Sequence, residues 1–158
     1  GPIKVEIMQN MHTHDPVDEY DDSDLRLLSE RDIGMLKLMS AANRYSNKDI
    51  YDLDYLTDVI PLPELVNNLK IKQQQFNLDA DKNIFDLDNE KSPVEYPELL
   101  LAFDARSQSR DSRPTHSHHR IDILDGSKNW NQARSSWRRK VRELFRMMGR
   151  PFPTITGF

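Results

Sequence analysis

The stretch 37-KLMSAANRYSNKDIYDLDYL-56 decides the fold. Its apolar residues recur at helical spacing in two blocks, which predicts two short helices joined by a five-residue turn. The same stretch carries Lys37, Arg44, Lys48, Asp49 and Asp52. On a helix, positions 37, 41 and 44 share a face, so Lys37 and Arg44 project together with the small Ala41 between them. Lys48 and Asp52 are an i,i+4 pair, and Asp49 and Asp52 share a side. Two cations facing two carboxylates make either a salt-bridged hairpin, the commoner outcome of such a pattern, or a cleft that grips phosphate.

Upstream, Ser29 with an acid three residues later resembles a capping box and opens a helix from about Glu30 to Asn43, with Met35, Leu38, Met39 and Ala42 as its apolar stripe. Ser46 offers the cap of the next helix, which continues through Ile50, Leu53 and Leu56. Pro61 and Pro63 stop it, and Pro63-Glu64 start a third helix through Leu65, Val66 and Leu69. Ile3 to Met8 alternates apolar and polar residues, the period of a half-buried strand that puts Lys4 and Glu6 on one face. Residues 12–24 read as an acidic loop.

Downstream, 77–98 predicts short elements in irregular chain, followed by the apolar cluster Leu99 to Phe103. Residues 105–120 (ARSQSRDSRPTHSHHR) hold almost nothing to bury and read as a flexible linker. Asn129 to Met148 is the clearest helix: Trp130, Trp137, Val141, Leu144, Phe145 and Met148 mark one face, Asn129 or Asn131 caps it, and Gly149-Arg150-Pro151 ends it. The expected fold class is α+β, mainly α-helical: a short N-terminal strand, a small helical bundle and a long basic C-terminal amphipathic helix. Its divisions are 3–75 for strand and bundle, 76–104 for an irregular extension, 105–127 for the linker and 128–158 for the basic helix and tail.

The 158 residues suit one domain with a modest core. Hydrophobic residues make up 37% and charged ones 30%, and mean hydropathy is -0.76, so stretches lacking a core of their own are expected. No apolar run is long enough for a membrane span, no signal peptide opens the chain, and there is no cysteine, so the expected compartment is the cytoplasm and no membrane partner is expected. Gly1-Pro2 resembles a cleavage scar, which raises the expectation of a fragment. The net charge of -4 is uneven: from Lys128 onward there are eight basic residues and one acid. A basic tail on an acidic body meets either a polyanion or that body. Arg134, Arg138, Arg142 and Arg146 form its candidate contact stripe for nucleic acid or a partner. His116, His118 and His119 could ligate a metal, but without partnered carboxylates they read as solvated, as do His12 and His14.

The run Leu27 to Lys37, Arg44, and Lys48 to Leu53 resembles the AbiEii-type nucleotidyltransferases, toxins of abortive-infection toxin-antitoxin pairs with a DNA polymerase beta-like fold. The family's K-x-x-A-x-x-x-R motif is similar to Lys37 to Arg44, with Ser40 at the usual Ala. A basic residue before D-x-x-D resembles Lys48-Asp49-Ile50-Tyr51-Asp52, and Val5-Glu6-Ile7 resembles the strand bearing a metal-binding acid. The resemblance covers roughly Ile3 to Leu69. It implies that Glu6 completes a Mg²⁺ site, that Lys37, Arg44 and Lys48 bind the nucleoside triphosphate, and that Asp49 and Asp52 order the cleft or assist deprotonation of the acceptor. The implied reaction moves a nucleoside monophosphate to a hydroxyl on RNA or protein, and the implied partner is a cognate antitoxin. The family's first motif, a Gly-Ser turn with a D-x-D-like pair, does not occur before the strand. Asp86-Leu87-Asp88 follows the helices without such a turn. This chain is therefore not expected to catalyse the transfer alone. The alternative class is a non-enzymatic helical binding module with a basic arm.

Overall fold

The computed structural model describes Ile3, Val5 and residues 7–13, 27–104 and 121–153. These are mainly helical, and no strand occurs among them. The strand expected over 3–8 has Lys4 and Glu6 outside the described residues, as are most of the linker and His14, His116, His118 and His119.

Helix α1 spans Glu30–Arg44. Ser29 caps it: its Oγ accepts from the Asp32 amide at 3.0 Å and donates to Asp32 Oδ2 at 3.1 Å. Helix α2 spans Asn47–Val59. The link between them is only Tyr45-Ser46, shorter than the expected five residues, because Tyr45 ends α1 in the left-handed region at φ 53°. That conformation usually falls to Gly or Asn, so the sequence gives little warning of it. Ser46 holds the N-cap position of α2 without a side-chain capping bond. Helix α3, Leu62–Gln75, has Pro63 in its first turn and runs well past Leu69.

Between α3 and the last helix lie a 3₁₀ turn (Asp79–Asp81), the four-residue helix α4 (Ile84–Leu87) and a 3₁₀ segment (Pro97–Asp104). The last of these carries the predicted apolar cluster and buries Leu100, Leu101 and Phe103. Helix α5 spans Trp130–Met147. A full capping box sets its start: Asn129 Oδ1 accepts from the Gln132 amide at 3.0 Å, and Gln132 Oε1 accepts from the Asn129 amide at 2.8 Å.

One apolar core joins the bundle, the middle segment and α5. Leu38, Ile50, Leu53 and Leu65 of the bundle meet Phe85 and Leu100 of the middle, and Trp137, Val141 and Phe145 of α5. Trp137 is fully buried, and its indole N–H donates to Leu100 O at 2.9 Å. Thus the Trp face of α5 is core, and the basic tail meets its own body. Gly34 lets the first three helices approach: a Cβ there would stand 2.5 Å from a Leu56 methyl and 2.8 Å from a Leu65 methyl.

Candidate functional site

The short Tyr45-Ser46 link folds α2 back along α1, and the charged residues of the opening stretch meet across the junction. Lys37 Nζ donates to Asp49 Oδ1 at 2.9 Å and Asp52 Oδ2 at 2.7 Å. Asp49 is nearly enclosed, whereas the Asp52 side chain is 53% exposed and that of Lys37 32%. Burial works against the Lys37 charge, but the bonds to Asp52 and Asp49 outweigh it and raise its pKa above the ordinary lysine value. Arg44, on the same face of α1, and Lys48, in the first turn of α2, are exposed and make no ion pair with a described residue. The expected Lys48–Asp52 pair does not form, since the Asp52 carboxylate is turned to Lys37.

Beside this cluster, Asp52 lies on the rim of a 430 Å³ pocket whose walls include Tyr51, Tyr55, Leu56, Ile123 and Leu124. The Tyr51 hydroxyl donates to Lys128 O at 2.7 Å, and the Lys128 amide donates to the Tyr55 hydroxyl at 2.7 Å. These bonds tie the chain before α5 to the outer side of α2. The backbone bond from Lys128 lowers the pKa of Tyr55.

A second ion cluster, not anticipated from the sequence, joins α2 to α5. Asp54 is fully buried, and its Oδ2 accepts from Lys128 Nζ at 2.7 Å. Lys140 Nζ stands 3.0 Å from Asp54 Oδ1, at ion-pair distance but off the hydrogen-bond direction, and donates to the Asp54 carbonyl. Asp58 closes the group, 2.6 Å from each ammonium. The available signal was Asp54 alone, which falls within the Ile50, Leu53 and Thr57 stripe, where an acid needs partners.

The arginines of α5 divide. Arg134 Nε stands 2.6 Å from Asp104 Oδ1 and Arg138 Nη1 2.6 Å from Asp104 Oδ2, a nearly buried carboxylate. Arg142 lies over the Phe152 ring at 4.8 Å, and Arg146 pairs with Glu143 on the surface. Arg139, Arg142 and Arg146 therefore form the exposed row of this helix.

Among the described residues no group of three or more His, Cys, Asp or Glu could hold a metal ion. Glu6 is outside them, and Asp49 and Asp52 are both engaged by Lys37. The described residues do not fit a Mg²⁺ site. No helix among them is long and apolar enough to cross a membrane. No protein-family model, curated protein or solved structure matches the chain.

Proposed function

We propose that the α1–α2 hairpin is the triphosphate-facing side of a nucleotidyltransferase-like site of the AbiEii type. The supporting observation is a convergence: Asp49 and Asp52, 12 and 15 positions from Lys37, both reach its ammonium. This is the grouping that the K-x-x-A-x-x-x-R and D-x-x-D resemblance implies. An ammonium has three donors, so two bonds to carboxylates leave one for a phosphate oxygen. Arg44 and Lys48, exposed on the same hairpin, would neutralise the rest of the triphosphate. The pocket walled by Tyr51 and Tyr55 offers the nucleoside an aromatic surface.

In that role Asp49 holds Lys37 in place, and the more exposed Asp52 receives the proton of an attacking hydroxyl. Were the first motif's carboxylates supplied, the acceptor oxygen would bond the α-phosphorus while the bond to the β-phosphate breaks and pyrophosphate leaves. The acceptor would be a hydroxyl of RNA or protein, and a cognate antitoxin would restrain the enzyme. Because the paired carboxylates of the family's first motif do not occur in this sequence, the residues named here bind and orient the nucleotide without completing the transfer.

The reading as a non-enzymatic binding module has one specific support, the exposed row Arg139, Arg142 and Arg146. Titration of ATP, GTP, CTP and UTP separates the two. The nucleotidyltransferase-like reading expects saturable binding of at least one, weakened about tenfold or more by Arg44→Ala. No binding of any by the wild-type chain overturns it.

A further inference from the structure

Helix α5 sinks one side into the body and leaves the other as a ridge. Trp137, Val141 and Leu144 are buried in the core, and Lys140 is tied to Asp54 and Asp58 of α2. The face turned to solvent carries Gln132, Ser135, Arg139, Arg142 and Arg146, all exposed, at spacings that return to one side of a helix.

The charge on this ridge is not cancelled. Arg139 makes no ion pair with a described residue, and Arg142 is steadied by the Phe152 ring at 4.8 Å instead of by a carboxylate. Arg146 pairs with Glu143 on the surface, a bond that water already weakens. On the flank, Arg134 and Arg138 share the single carboxylate of Asp104. Arg150 donates to the Glu95 carbonyl at 3.2 Å. The six arginines of 134–150 thus outnumber the acids beside them, Asp104, Glu143, Glu95 and Glu98, although the whole chain carries a net charge of -4.

Guanidinium groups pair with phosphate through two parallel hydrogen bonds. A protein partner also needs an apolar centre to its interface, whereas the residues set among these arginines are polar: Gln132, Ser135 and Glu143. A phosphodiester backbone needs no such centre. Arg139 and Arg146 are about 10 Å apart along the axis, the length of about three phosphates on a stacked strand. Because α5 is half sunk in the body, its ridge suits a strand lying along it better than a groove of a duplex. The Ser135 hydroxyl and the Gln132 amide on the same face match the 2′-hydroxyls of RNA, which DNA lacks.

We propose that this face of α5 binds single-stranded RNA, with Arg139, Arg142 and Arg146 on its phosphates and Ser135 and Gln132 at its 2′-hydroxyls. The surface is on a different helix from Lys37, and its occupation does not depend on what the Lys37 cluster binds.

The test is fluorescence anisotropy of a labelled oligouridylate of about 15 nucleotides, titrated with the full chain at rising KCl. The expected result is saturable binding whose log affinity falls against log salt with a slope of about -2, the value for about three neutralised phosphates on a single strand. Arg139→Ala should flatten that slope by about 0.7 and weaken binding about fivefold near 0.1 M salt. Lys70→Ala, which removes an exposed cation from α3, should change neither, and oligodeoxyuridylate should bind more weakly than the RNA. Absence of binding at about 50 mM salt, equal losses in Arg139→Ala and Lys70→Ala, or equal affinity for the DNA strand overturns the proposal. Displacement of the RNA by polyglutamate at equal charge also overturns it and assigns the face to an acidic protein.

Discussion

Helix α2 carries two pairs of carboxylates, and they face different helices in different solvent. Asp54 and Asp58 face α5, where the buried Asp54 and its partner meet two lysines, so charge is balanced inside the protein. Asp49 and Asp52 face α1, where both fall on a single lysine with much of the cluster open to water. A buried, balanced group fixes one helix against another, and removing one member strands charge. A group partly open to water is screened, contributes less to stability, and leaves the third donor of the Lys37 ammonium unused by its two carboxylates. Similar residue types on one helix therefore meet different surroundings according to which neighbour helix they face.

The largest effect is expected at the buried cluster. Asp54→Ala leaves Lys128 and Lys140 facing each other without the enclosed anion and should lower stability by about 3–5 kcal/mol in urea denaturation. A loss below about 1 kcal/mol would mean that this cluster behaves like an exposed one and would erase the contrast. Gly34→Ala forces the Leu56 and Leu65 methyls aside, a cost of about 1–3 kcal/mol. A helix-propensity gain of about 1 kcal/mol offsets part of it, so a modest net drop in melting temperature is expected.

Lys37→Ala should cost about 1–2 kcal/mol, less than Asp54→Ala, since the bridge to Asp52 is solvent-screened while the nearly enclosed Asp49 loses its ammonium. A much larger loss would make the exposed cluster a structural tie. The smallest effect concerns acid. Burial pushes the Asp58 carboxyl upward, but the bonds from Lys128 and Lys140 prevail and depress its pKa. A depressed carboxylate adds stability above its unfolded value of about 3.9, and that stability disappears as pH falls through the folded value. The stability gap between wild type and Asp58→Asn should therefore be open at neutral pH and close as pH drops below about 4.

Local signals were legible where one residue decides the outcome. Ser29 caps as its spacing predicts, and of the two asparagines offered for the last helix it is Asn129 that caps. The Lys37 cluster was legible because its members lie 12 and 15 positions apart on neighbouring predicted helices. The Asp54 cluster was not, because Lys128 and Lys140 lie 74 and 86 positions away and only the docking of α5 brings them in. The same holds for Asp104, which claims Arg134 and Arg138 from 30 and 34 positions away and so shifts the exposed arginine row to include Arg139. Helix α3 outruns its apolar pattern because Lys72 is buried on it, and a lysine gives no hydrophobic signal. What the K-x-x-A-x-x-x-R resemblance adds is a use for the exposed cluster, and chemistry must decide it.

The most direct test compares nucleoside triphosphate affinity in Lys37→Met and Lys140→Met, with folding of each followed by circular dichroism. If the exposed cluster is the ligand-binding one, affinity falls about tenfold or more in Lys37→Met and is retained by folded Lys140→Met. Equal affinity in the two variants would contradict the division of α2 into a binding side and a structural side.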